Sequence, residues 1–239
     1  ANVSAASRRH GPDARLAADF AYDLLNSVPP YGILFTYGDN DTFPLWWAQE
    51  VEGIRRDVTI VCLALANTHW YARQLREGAV PAQEALERGR GATRPDWPTL
   101  PMTDAEIEAA YPRQLGETVS VTFGPYRRTY AAGTVFYTSD FVAARVVQQN
   151  LGRRPVAWSV TTGRNFLSLD PYLVQKGLVF ELQPSEPDSL APGIDRQRLA
   201  GALLDVPTTD RLVWETYRYA GLRSAASRDL EVTSRSFAS

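Results

Sequence analysis

Residues that build disulfides and zinc centres are scarce in this chain. Among 239 residues there is one cysteine, Cys62, and there are two histidines, His10 and His69. One thiol cannot form a disulfide within the chain, and a zinc site made of several cysteines is excluded as well. Two imidazoles give little support to a histidine-based zinc centre.

An excess of one charge and a long apolar run are also missing. The 25 basic and 27 acidic residues nearly balance, whereas nucleic-acid binding needs clustered positive charge, so we expect no nucleic-acid partner. No apolar run approaches the ~18 residues that span a bilayer, and residues 1–16 lack the apolar core of a signal peptide. Because the sequence also begins without methionine, we expect a mature or excised piece of a longer polypeptide.

The residues that are present have the pattern of an α/β protein. Hydrophobic residues make up 44% of the chain and charged residues 22%, as in ordinary globular domains. Apolar runs predict strands at residues 32–37, 58–65, 155–161 and 177–184. Helical spacing follows the first two runs, and a strand–helix–strand unit with short connections favours parallel pairing. We therefore predict a mainly parallel, Rossmann-like sheet that is flanked by helices.

Local signals predict where several other elements begin and end. We predict helices over about 12–26 and 43–52, and a third helix that carries Trp70, Tyr71 and Leu75 and has Asn67 or Thr68 as its cap. Thr103–Glu106 is a capping-box pattern, residues 118–130 alternate as a hairpin does, and Ser139-Asp140 predicts the cap of a long helix.

The spacing of these signals also predicts a division of the chain. Residues 1–190 are predicted to form the α/β domain, interrupted by a Pro/Gly-rich insertion at about 78–135. Residues 191–239 are predicted to add a C-terminal helical extension and a polar tail.

The segment GDNDT, residues 38–42, is the first candidate for chemistry. It follows a predicted strand, and ligands of open α/β sheets bind beyond the carboxyl ends of strands. Asp39 and Asp41 can hold a divalent metal there, or act as nucleophile and general acid/base in a phosphohydrolase of the haloacid-dehalogenase type. That match is incomplete, because no later strand end supplies the threonine, lysine and acidic partners. Alternatively, one aspartate only caps the next helix, although a cap needs one carboxylate and GDNDT has two.

A second polar group follows the next predicted strand. Asn67, His69 and Trp70 lie beyond its carboxyl end, so neighbouring strands would bring them to the same edge as GDNDT. An imidazole can exchange protons, and a tryptophan ring can stack on the apolar face of a sugar. We call the six residues predicted to meet there the candidate rim: Asp39, Asn40, Asp41, Asn67, His69 and Trp70.

The stretch ILFTYGDNDTFPLWWAQEVEGIRRDVTIVCLALANTHWYARQL (33–75) resembles a family of multi-pass membrane proteins. These are the protein O-mannosyltransferase-like proteins, a glycosyltransferase family 117-like group that includes an animal endoplasmic-reticulum enzyme. FAYDLLNSVPPY (20–31), RRPVAW (153–158) and PYLVQKGLVFEL (171–182) are similar to further family segments. Cys62-Leu63-Ala64 departs from the family's Asn-Leu-Ser, whereas Asp39 to Thr42 are intact.

The resemblance implies a C-terminal domain on the periplasmic or lumenal face of a membrane. Its partner is then the transmembrane portion of the same polypeptide, and the parent transfers a sugar from a lipid-phosphate-linked donor to an acceptor protein or glycan. Because the catalytic acid of such enzymes lies between membrane helices, we expect this chain alone to be inactive. Three interpretations remain: an accessory domain that recognises the acceptor, a free-standing metal-dependent phosphohydrolase that uses Asp39 and Asp41, and a purely structural domain.

Overall fold

The strands of the central sheet are short apolar runs whose side chains are all buried. The computed structural model describes residues 16–78, 99–163, 165–183 and 193–194. Strands β1 (Ile33–Thr36), β2 (Thr59–Cys62) and β7 (Val156–Ser159) are buried along their whole length. Burial on both faces is what covered parallel strands show, and it explains why these runs are continuously apolar.

The remaining elements follow in chain order. The helices are α1 (Leu16–Asn26), α2 (Asp39–Glu50), α3 (His69–Glu77), α4 (Asp104–Glu108) and α5 (Thr138–Asn150). The other strands are β3 (Arg113–Gln114), β4 (Val119–Phe123), β5 (Tyr126–Tyr130), β6 (Val135–Phe136), β8 (Leu173–Lys176), β9 (Val179–Leu182) and β10 (Gly193–Ile194).

The sheet is mixed, in the order β10-β8-β9-β7-β1-β2. Strand β1 is parallel to β2 and to β7, but β9 is antiparallel to both β7 and β8. The α/β class and the parallel pairing of the first two strands are thus confirmed, whereas a mainly parallel, Rossmann-like sheet is not. The reason is the two-residue turn at Gly177-Leu178, with Gly177 at φ 66°, because so short a connection joins only antiparallel strands.

Helices cover both faces of the sheet. Side chains of α1 and α2 pack with Leu34 and Ile60 on one face. Side chains of α3, α4 and α5 pack with Phe35, Val61 and Trp158 on the other. Phe35 and Trp158 stack at the centre of that second core, with their ring centroids 5.0 Å apart. The sheet therefore presents its strand ends, rather than a face, to solvent and ligands.

Several local predictions are confirmed and others are shifted. The hairpin of β4 and β5 and the Thr103–Glu106 capping box form as predicted. The second predicted strand is shorter, because residues Leu65–Asn67 turn into a 3-10 helix. Helix α2 begins at Asp39 rather than Phe43, so GDNDT contains its first turn. The lead-in, the start of the first helix, most of the Pro/Gly-rich stretch and the helical patterns after residue 194 lie outside the described residues.

None of the helices within the described ranges is long and apolar enough to cross a membrane.

Candidate functional site

The candidate site begins where β1 meets α2. Gly38 takes an extended conformation and precedes the helix, so that Asp39 and Asp41 fall at its first and third positions. Carboxylates in the first turn interact favourably with the partial positive charge of a helix N-terminus. The polar run that looks like a loop in the sequence is therefore a helix start.

Asp41 is almost completely buried and its carboxylate is fully engaged. Only 5% of the residue is exposed. Its Oδ1 accepts a hydrogen bond of 2.9 Å from the Gly38 N–H, and Oδ2 accepts one of 2.9 Å from the Tyr37 N–H. The Thr161 hydroxyl donates to Oδ2 at 2.5 Å. Because Thr161 follows β7, the carboxylate joins the ends of two neighbouring strands to the start of a helix.

A small network of hydroxyl groups surrounds this carboxylate. The hydroxyls of Thr36 and Thr42 are 2.7 Å apart, and those of Ser159 and Thr161 are 2.6 Å apart. Thr36, Thr42 and Ser159 are completely buried. Buried polar groups are stable only when they are hydrogen-bonded, and here each hydroxyl finds its partner at the carboxyl ends of β1 and β7.

Thr161 is the site residue that the sequence interpretation missed. It lies 120 residues from Asp41, and no local pattern links the two positions. The one available signal is the polar run Ser159-Val160-Thr161-Thr162 directly after a buried strand, which places hydroxyls at a strand end as GDNDT places carboxylates.

Asp39 and Asn40 differ from Asp41 in both exposure and contacts. Both residues are exposed. Within the described part of the chain, neither side chain makes a hydrogen bond or an ion pair. GDNDT thus contains one carboxylate that holds the fold together and one that faces solvent.

Asn67 is engaged elsewhere in the fold. Its Oδ1 accepts a hydrogen bond of 3.1 Å from the Ser139 N–H, and Ser139 is the second residue of α5. The Asn67 amide also donates to the Leu63 carbonyl at 3.3 Å. Thr68, one of the two predicted caps, occupies the N-cap position of α3. Its hydroxyl does not bond to the helix, because it donates to the carbonyl of Leu65, three residues earlier, at 2.6 Å. Asn67 therefore caps α5 rather than α3.

His69 contacts α4 and the residues that follow it. Its Nδ1 lies 3.5 Å from Glu108 Oε2, and its Nε2 lies 3.4 Å from the Ala110 carbonyl oxygen. The imidazole also packs edge-on against Tyr111, with a centroid distance of 5.1 Å. Among the described residues, no hydrogen bond or ion pair joins His69 or Asn67 to Asp39 or Asp41. The candidate rim is therefore not one hydrogen-bonded cluster.

Large aromatic side chains are exposed at the same edge of the sheet. Trp70, at the start of α3, is 55% exposed, and Tyr37, directly after β1, is 56% exposed. Phe43, in the second turn of α2, is 49% exposed. Because β1 and β2 are adjacent and parallel, these rings follow neighbouring strand ends. Trp46 and Trp47, in contrast, pack partly buried against the two cores.

The described residues contain no group of three or more histidine, cysteine, aspartate or glutamate side chains that could hold a metal ion. The sequence predicts that a divalent metal, where one binds, is held by Asp39 and Asp41. Asp41 fits that role poorly, because a cation would have to displace two backbone N–H groups and the Thr161 hydroxyl from its oxygens. Asp39 alone offers one carboxylate, fewer oxygen ligands than a protein-bound divalent cation takes.

The fold and the site together define a mixed α/β domain with a buried strand-to-helix junction and an exposed polar and aromatic edge. Residues 17–86 match the family model described as TMEM260-associated domain 2. That segment contains α1 from its second residue onward, and β1, GDNDT, α2, β2 and α3 in full. TMEM260 is described as a protein O-mannosyltransferase-like membrane protein, and the match carries no assignment to a particular glycosyltransferase family. No curated protein matches the chain. No solved structure matches it either.

Proposed function

We propose that this chain is an accessory domain of a TMEM260-like membrane protein and that it recognises or orients the acceptor of a sugar-transfer reaction. The membrane portion of the same polypeptide would carry the reaction, using a lipid-phosphate-linked sugar. The domain would lie on the periplasmic or lumenal face, with residues 1–190 as its α/β part. The family-model match over residues 17–86 supports the link to such a parent.

The observation that carries the proposal is that the two aspartates of GDNDT differ in burial and in hydrogen bonding. Asp41 is buried and bound by three N–H and O–H donors within 2.9 Å, so its carboxylate links the strand ends to the helix start and offers no oxygen to a ligand. Asp39 and Asn40 are exposed and leave carboxylate and amide groups for a ligand. This division favours a domain that binds over one that performs catalysis.

The exposed aromatic rings agree with a carbohydrate or peptide acceptor. Aromatic faces pack against apolar surfaces, while nearby carboxylate and amide groups hydrogen-bond to hydroxyl or amide groups of a ligand. Trp70 supplies the largest exposed ring at this edge, at 55% exposure. In this proposal Asp39, Asn40 and Trp70 contact the acceptor, whereas Asp41 and Asn67 position the elements that carry them.

The contacts of Asp41 bear on the two alternatives that the sequence leaves open. A phosphohydrolase would use Asp39 as nucleophile and Asp41 as general acid/base, but Asp41 has no free oxygen directed to solvent in this arrangement. The same hydrogen bonds at Asp41 also agree with a purely structural domain. That alternative differs from the proposal only in giving the exposed residues no ligand to bind.

Binding measurements on the chain separate these alternatives. Purified protein is titrated with a panel of glycans and unmodified peptides, and Asp39→Ala and Trp70→Ala are compared with Glu52→Ala, an exposed acidic residue beyond the far end of α2. We expect Trp70→Ala to weaken binding about tenfold or more, since aromatic side chains that a ligand covers on binding dominate recognition surfaces, while Glu52→Ala binds as the wild type. Equal binding by all variants would support the structural alternative. Phosphatase activity that is lost in Asp39→Asn would support the enzyme.

A further inference from the structure

A cleft of about 460 Å³ opens on the side of the molecule formed by α4, α5 and the small strands between them. Its volume lies in the range of about 300–1,000 Å³ typical of small-ligand sites. Apolar side chains from β4, β6 and α5, and from the segments next to α4 and β3, converge on it, among them Met102, Leu115, Val119, Val121, Phe136 and Phe141.

The polar groups at this cleft are few, and all but one have partners. Arg145 pairs with Glu106 at 2.5 Å, and the Gln148 amide donates to the Thr122 carbonyl at 2.8 Å. The exception is Arg113, whose guanidinium lies over the Phe141 ring at 4.7 Å from its centroid. Among the described residues no carboxylate pairs with Arg113. The lining therefore holds two arginines against one glutamate, and the unpaired positive charge is on Arg113.

We propose that this cleft binds a small anionic amphiphile, with its apolar chain among the lining side chains and its carboxylate or phosphate on Arg113. The apolar lining accommodates the chain through burial of hydrocarbon surface. The planar guanidinium of arginine matches a carboxylate or phosphate with two parallel hydrogen bonds. An extended peptide fits less well, because a buried peptide backbone needs several hydrogen-bond partners and the cleft leaves only Arg113 available.

No residue that lines the cleft belongs to the candidate rim, because the lining comes from α4, α5, β3, β4, β6 and the segments next to α4 and β3. The test of this cleft therefore involves neither sugar transfer nor the acceptor. The measurement is isothermal titration of the full chain with decanoate and with decanol, which share the apolar chain and differ in the charge.

We expect wild-type protein to bind both compounds and to prefer decanoate. Arg113→Gln removes the charge and should weaken decanoate binding about fivefold, as for a partly exposed ion pair, and leave decanol binding unchanged. Ala144→Phe fills the cleft and should weaken both compounds more than tenfold, with Ala109→Phe as a second cleft-filling variant if the first one fails to fold. Arg127→Gln changes an exposed residue of β5 outside the cleft, is the matched charge control and should change neither affinity. Phosphate esters of decanol distinguish a phosphate from a carboxylate ligand.

Three results would overturn the proposal. The first is no binding of decanoate or decyl phosphate by the wild type. The second is equal affinity of both anions for wild-type protein and Arg113→Gln. The third is binding that appears only after residues 79–98 are deleted, which would assign the cleft to a segment of the chain itself.

Discussion

At the scale of single residues, two aspartates of one short motif have separate roles. Asp41 occupies the third position of α2, from which its carboxylate reaches back to the N–H groups of Tyr37 and Gly38. Asp39 occupies the first position and is exposed. The spacing Asp-x-Asp thus puts one side chain onto the strand end and leaves the other for solvent or a ligand.

The first prediction concerns the stability that Asp41 provides. Asp41→Ala removes the acceptor of three partly buried donors, the N–H groups of Tyr37 and Gly38 and the hydroxyl of Thr161. A fully buried donor that loses its acceptor destabilises by roughly 1–3 kcal/mol, and since water reaches these donors in part, each should cost about 1 kcal/mol. We expect a decrease of about 2–4 kcal/mol in the free energy of unfolding, measured by urea denaturation.

Thr161→Val and Asp39→Ala are its controls. Thr161→Val removes one donor and should destabilise by about 1 kcal/mol, whereas exposed Asp39→Ala should stay within about 0.5 kcal/mol of wild type. If Asp39→Ala destabilises as much as Asp41→Ala, the two carboxylates do not have separate roles.

A second residue-scale feature is the ion pair of Arg55 and Asp57. Arg55 lies in the left-handed region at φ 44°, and its guanidinium donates to the carbonyls of Leu25 and Val28 as well as to Asp57 at 2.9 Å. Burial raises the pKa of the Asp57 carboxyl, but the hydrogen bond and charge of Arg55 and the N–H of Tyr31 outweigh it, so that the pKa lies below its ordinary value.

The second prediction follows from that lowered pKa. A carboxyl group whose pKa is lower in the folded than in the unfolded state stabilises the fold above its unfolded pKa, near 3.9, and loses this contribution as pH falls through its folded pKa. We therefore expect Asp57→Asn to destabilise the protein clearly at pH near 7 and much less at pH near 2. Urea unfolding at both pH values measures this. A difference that grows toward acid would contradict the sign of the pKa shift.

At the scale of elements, three helices begin in the same way. The third residue of α2, α4 and α5 is acidic, and each carboxylate accepts the N–H of the residue before the helix, at 2.9, 2.8 and 2.8 Å. Asp41 of GDNDT therefore has the ordinary role of an acidic residue in the first turn of a helix. The hydrogen bond from Thr161 distinguishes Asp41 from the other two, because it adds a second strand to the junction.

The third prediction concerns the cap that links two elements through Asn67. Asn67→Ala removes the acceptor of the Ser139 N–H and should destabilise the protein by about 1 kcal/mol, as loss of a helix cap does. Asn67→Asp keeps an oxygen acceptor at the N-terminus of α5 and should retain most of the stability. Thermal unfolding of the three proteins provides the comparison. Equal losses in the alanine and aspartate variants would show that the cap is not what Asn67 contributes.

Elements with local signals, and the pairing of β1 with β2 and of β4 with β5, could be predicted from the sequence, whereas the place of the later strands in the sheet could not. The β4–β5 hairpin is specified by its alternation around Gly124-Pro125, and the α4 start by its own capping box. The strand predicted within residues 177–184 is confirmed as β9, but its place between β7 and β8 could not be predicted. Its place depends on the turn at Gly177-Leu178 and on a strand, β8, that alternates between buried and half-buried residues without a strong pattern.

At the scale of the whole molecule, the candidate site could likewise be predicted from the sequence only in part. The sequence brings Asp39 to Asp41 and Asn67 to Trp70 to the ends of adjacent parallel strands, and that pairing is confirmed. Which side chains are free could not be predicted, because the partners of Asp41 and Asn67 lie 120 and 72 residues away. Contacts at such separations depend on the assembled sheet rather than on local pattern.

The measurement that tests the central claim most directly is an assay of the proposed sugar transfer, with a full-length TMEM260-like parent that carries Asp39→Ala or Trp70→Ala and with Glu52→Ala as control. If the domain recognises the acceptor, the variants raise the KM for the acceptor by about tenfold and keep the kcat of the wild type at saturating acceptor. Loss of kcat at saturation would make Asp39 part of the chemistry. An unchanged KM and kcat in every variant would contradict acceptor recognition at this edge of the sheet.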